Sequence, residues 1–122
     1  MKRTTPARDI SAHEAAIVEW LLDHAAMRDV SAYRSGRPVT AIRVIGGCDC
    51  GCASLVFESN ATGGPNTILA DGGALYLDKQ QAGLILWGRT AEIVFLEVYE
   101  MHPVADRVPE IEDLRRYEDS FR

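Results

Sequence analysis

Apolar residues recur at helical spacing near the start of this chain and at strand spacing through most of the remainder. Ile17, Val18, Leu21, Leu22 and Ala25 fall on one stripe of a 3.6-residue period, with Glu19 and Asp23 on the opposite side. Ser11-Ala12-His13-Glu14 precedes the stripe as a capping box. The Ser11 oxygen can accept the Glu14 backbone N–H, and the Glu14 carboxylate can return the bond to Ser11. These features predict an amphipathic helix over about 12–28. Trp20, His13 and His24 flank its apolar stripe and read as boundary residues. Residues 1–10 read as a flexible tail ending at Ile10.

Beyond the helix the period changes. Asp29 to Pro38 reads as a connection, broken at Ser35-Gly36-Arg37-Pro38. Val39 to Ile45 is rich in β-branched residues and predicts a strand, ended by Gly46-Gly47. Ser54 to Glu58 returns as its partner in a long-looped hairpin. Thr67 to Ala70 and Ala74 to Asp78 read as strands reversed at Asp71-Gly72-Gly73, or as one long strand bulged at the glycines. Gly83 to Trp87 and Ala91 to Tyr99 follow, separated by Gly88-Arg89-Thr90.

The last of these strands is apolar on both faces, with Val94, Leu96 and Val98 on one and Ile93, Phe95 and Tyr99 on the other. Such a strand belongs in the middle of a sheet. Glu97 interrupts the second face. A lone buried carboxylate costs several kcal/mol, so Glu97 needs a partner such as Arg43 or a place at the mouth of a cavity. Pro109 to Tyr117 predicts a short C-terminal helix, with proline first, acids early and arginines late. The elements add up to an α+β fold in a single domain spanning 1–122. An N-terminal helix packs on an antiparallel meander of five or six strands, in a cystatin-like arrangement.

Composition narrows the function classes. The net charge of -5 comes with no basic cluster, which argues against nucleic acid as a partner. Residues 92–122 carry nine Asp/Glu against four Lys/Arg, so a basic protein partner suits this end of the chain better. No apolar run approaches a membrane span, and the N-terminus lacks the apolar core of a signal peptide. The three cysteines are odd in number and crowded, unlike a secreted disulfide framework. A soluble protein in the reducing cytoplasm is expected.

Cys48, Cys50 and Cys52 are the chain's most distinctive chemistry. Three thiolates could hold zinc if a fourth ligand joined them, with His102 as a candidate. The alternating spacing is not that of zinc knuckles, and no second cysteine stretch exists to complete one. Structural thiols are the simpler reading, with no cofactor implied. The nucleophile-elbow, phosphate-loop and zinc-protease motifs are all absent from the sequence, so no enzyme chemistry is read.

Arg43-Val44, the C-x-C-G-C of 48–52 followed by Ser54, and Leu96-Glu97-Val98-Tyr99 with the later Val108-Pro109 resemble a group of small uncharacterised bacterial proteins. Some proteins of that build are similar to immunity partners of secreted toxins. The resemblance implies a helix-plus-sheet module with a non-catalytic binding role. Three functions are therefore carried forward. The first is a protein-interaction module, immunity-like or regulatory, acting through its acidic C-terminal region or its open sheet face. The second is a metal-binding protein centred on Cys48, Cys50 and Cys52. The third is a small-molecule pocket between helix and sheet, with Glu97 and Tyr99 at its mouth and Arg43 near by. Homodimerisation through a free sheet edge is compatible with each.

Overall fold

The computed structural model describes residues 2–48, 54–75, 81–100 and 109–116. These residues form one sheet of seven strands: β1 (Lys2–Asp9), β2 (Arg43–Cys48), β3 (Leu55–Phe57), β4 (Thr67–Leu75), β5 (Gln81–Arg89), β6 (Glu92–Glu100) and β7 (Leu114–Arg116). The spatial order is β1-β2-β3-β6-β5-β4-β7, with every neighbouring pair antiparallel. Helix α1 (Ala12–His24) lies on one face, and a short helix α2 (Ser31–Ser35) follows it. The expected α+β class is the observed one, with seven strands in place of five or six. No described helix is long and apolar enough to cross a membrane.

Helix α1 starts where its local chemistry dictates. Glu14 N donates to Ser11 Oγ at 3.0 Å and Ser11 N to Glu14 Oε1 at 2.9 Å, closing the capping box. Arg8 then grips the Glu14 carboxylate with two bonds of 2.8 Å, joining β1 to the helix N-terminus. Ile17, Val18, Leu21 and Leu22 are buried in one cluster with Leu84, Leu86, Leu96 and Val98 of the central strands. His13 Nε2 donates to the Pro109 carbonyl at 2.9 Å, and His24 stacks on Trp20. Both histidines are the boundary residues their positions suggest.

Several expectations change. Residues 2–9 are not a tail: they pair with β2 as an edge strand. Val39–Ala41 is a 3₁₀ turn, and the strand begins only at Arg43. Residues 67–75 form one continuous strand whose irregularity falls between Ile68 and Ala70, not at the glycines. The predicted C-terminal helix is a 3₁₀ turn, Ile111–Asp113, followed by β7, which pairs with β4. Leu114 is drawn into the core by that pairing.

β6 is central, as its two apolar faces require. A register shift at its start exchanges two side chains: Ile93 joins the helix-side core, and Val94 turns to the other face. Immediately before β3, Ser54 continues the ladder with its side chain. Its buried hydroxyl accepts from Val98 N at 2.8 Å and donates to Val98 O at 3.1 Å.

Candidate functional site

Strand alternation assigns two faces to the sheet. Leu84, Leu86, Leu96 and Val98 face α1, so their neighbours Ile85, Trp87, Phe95, Glu97 and Tyr99 face away from it. The cross-strand pairs Trp87–Phe95, Phe95–Val56 and Ile85–Glu97 place these side chains in adjoining rows. All are half-buried. Over them lies a groove of about 490 Å³, floored by Trp87, Phe95, Val94 and Val56 and bordered by Ile45 and Phe57.

The groove has two different ends. Glu97 stands at one, where Trp87 Nε1 donates to its Oε1 at 3.1 Å. This diagonal bond gives the carboxylate its partner and fixes the indole plane. Arg89, Asn66 and Ser59 stand at the other. The register explains their meeting: Thr67 pairs with Gly88, so Asn66 borders Arg89, and Ser59 follows β3 on the opposite flank. Arg89 lies four residues along β5 from the row of Glu97, or about 13 Å at strand rise. A two-residue reversal follows it, with Thr90 at φ 50 and Ala91 at φ 65. Primed hairpin turns require this left-handed geometry, which non-glycine residues adopt at a cost.

Tyr99 belongs to the same face, one row beyond Glu97. Its ring lies across the backbone of Gly83, so close that a Cβ there would sit 2.0 Å from Cζ. On the neighbouring strand, Asp71 pairs in register with Ile85. Burial without a hydrogen bond raises its carboxyl above the ordinary range, and its Oδ1 is buried with no partner.

The sequence-predicted candidates separate. Glu97 lines the groove and Tyr99 lies on the same face, but this face is opposite α1 and not between helix and sheet. Arg43 does not reach Glu97. It donates to Asp9 Oδ1 at 2.7 Å and to the Ala7 carbonyl at 3.1 Å, tying β1 to β2. Cys50, Cys52 and His102 lie outside the described residues. Cys48 ends β2, where its backbone pairs with Lys2, and its side chain is likewise outside the description. Among the described residues no three His, Cys, Asp or Glu side chains gather as a metal site would need.

The sequence alone does not single out Trp87, Arg89, Asn66 or Ser59 as site residues. A signal was present for two of them: Trp87 and Arg89 share the strand phase of Ile85, opposite to Leu84 and Leu86. Nothing local marks Asn66 or Ser59, which reach the site through pairing of distant strands. Compared with known proteins, the chain matches no family model, no curated protein and no solved structure.

Proposed function

We propose that this protein is a non-enzymatic binding module whose recognition site is the groove on the face of the sheet opposite α1, and that its occupant is a small amphipathic molecule. The observation that carries this reading is the groove itself: about 490 Å³ over the half-buried Trp87–Phe95 pair, with polar groups only at its two ends. Small-molecule sites have this size, and in them an apolar floor beside placed polar groups binds and orients the ligand. A protein partner would need roughly 800 Å² on each side, far more than one groove supplies. The Trp87–Glu97 hydrogen bond supports the same reading, because it holds the indole in place before any ligand arrives.

The test is a screen of small aromatic and alicyclic compounds on protein carrying Trp20→Phe, so that emission comes from Trp87 alone. A saturable change in emission is expected, with calorimetric heat that disappears in Trp87→Ala. The reading fails if no compound saturates, or if binding survives the combined loss of Trp87 and Phe95.

A further inference from the structure

The polar ends of the groove are not equivalent. Glu97 already has a donor in Trp87. The Arg89 side chain makes no hydrogen bond or ion pair with any described residue, and its Nε is buried without a partner. An N–H withdrawn from water and left unpaired costs free energy that a bound acceptor would restore.

The obvious internal partner is committed elsewhere. Glu92 is paired with Arg89 in the β5–β6 register, yet its Oε1 accepts from Asn60 N at 3.2 Å and lies 3.9 Å from Arg37 Nη2. The guanidinium is therefore left to the groove, with the Asn66 amide and the Ser59 hydroxyl at the same end. All three side chains can donate, and Arg does so in a planar fork that matches two carboxylate oxygens. Next to them the floor carries the cross-strand pair Trp87 and Phe95.

The geometry points to Arg89 as an anion anchor, and to a small aromatic carboxylate as the class of ligand: its ring on Trp87 and Phe95, its carboxylate on Arg89 with Asn66 and Ser59. This rests on the groove being the recognition site, and it adds the polarity and charge of the occupant. The net charge of -5 works against anions in general, so a preference for one has to come from this local cation.

Two isosteric probes test the assignment: 2-naphthoate and its neutral amide, 2-naphthamide, titrated at low salt into the Trp20→Phe protein. The carboxylate is expected to bind at least about tenfold tighter, the usual scale of a charge-assisted contact. Arg89→Gln should remove that preference, weakening the naphthoate at least about tenfold and the naphthamide by much less, with the melting temperature nearly unchanged. Trp87→Ala should weaken both probes together. Equal affinity of the two probes for the parent protein, or a preference that survives Arg89→Gln, overturns the anchor and leaves the groove standing. Failure of both probes to bind overturns the groove reading and the anchor with it.

Discussion

Removing the charge of Glu14 should destabilise the protein at neutral pH and leave it nearly unaffected in acid. The carboxylate accepts two 2.8 Å bonds from Arg8 and one of 2.9 Å from Ser11 N, at the positive end of α1. Glu14→Gln keeps the shape and can still accept from Ser11, so it isolates the charge. A bidentate charged pair would be strong if buried, but the Arg8 side chain is 48% exposed against 12% for Glu14, and water screens it. About 1 kcal/mol for the pair and about 0.5 kcal/mol for the helix dipole give a loss of about 1.5 kcal/mol. Glu14→Ala also removes the capping-box bond and should cost about 1 kcal/mol more. At this chain length about 1 kcal/mol moves the melting temperature by about 4 °C, so shifts of about 6 and 10 °C are expected.

The pH dependence has a definite sign. The Arg8 hydrogen bonds, with smaller help from Ser11 and against partial burial, hold the Glu14 carboxyl below its usual range. A lowered folded-state value means that the stabilisation is complete above the unfolded value of about 4.3 and is lost as pH falls through the folded one. Urea unfolding of parent and Glu14→Gln proteins at pH 7 and pH 3 measures this. A Glu14→Gln deficit of the same size at both pH values, or none at pH 7, would refute the reasoning.

Three further perturbations probe the sheet. Gly83→Ala places a Cβ 2.0 Å from Tyr99 Cζ, so the ring must move at a cost of about 1–3 kcal/mol; adding Tyr99→Ala should recover part of the loss in a double-mutant cycle of melting temperatures. Asp71→Asn should raise stability at pH 7 by less than about 1 kcal/mol, because the residue is only partly buried and water screens its charge. Since burial raises the Asp71 carboxyl, the cost of its ionisation builds up as pH rises from the unfolded value towards the folded one and persists above it, so the gain should vanish below about pH 3.5 in a pH series of thermal melts. Ala91→Gly relieves one of the two left-handed residues after Arg89 and should add about 1 kcal/mol in chemical denaturation without altering the groove.

What this sequence determined alone was what near neighbours settle. The capping box and the apolar stripe of α1 act within one or two turns, so they were legible from Ser11 to Leu22. The placing of β6 at the centre was equally legible, because two apolar faces on one strand leave it no other position. Tertiary structure decided the rest. β1 is a short polar run, and only its pairing with β2 some forty residues later makes it a strand. Residues 114–116 follow a proline and acids that favour a helix, yet hydrogen bonds to β4 outweigh that local preference. The register shift in β6 sends Val94, not Ile93, to the groove, and no residue in the sequence marks it. The site itself depends on which face α1 covers. Glu97 was seen to need a partner, but the choice of Trp87 over Arg43 follows from strand register, as does the meeting of Arg89 with Asn66 and Ser59. Period-2 patterning tells which residues share a face; only long-range pairing tells which strands lie side by side and which face α1 covers.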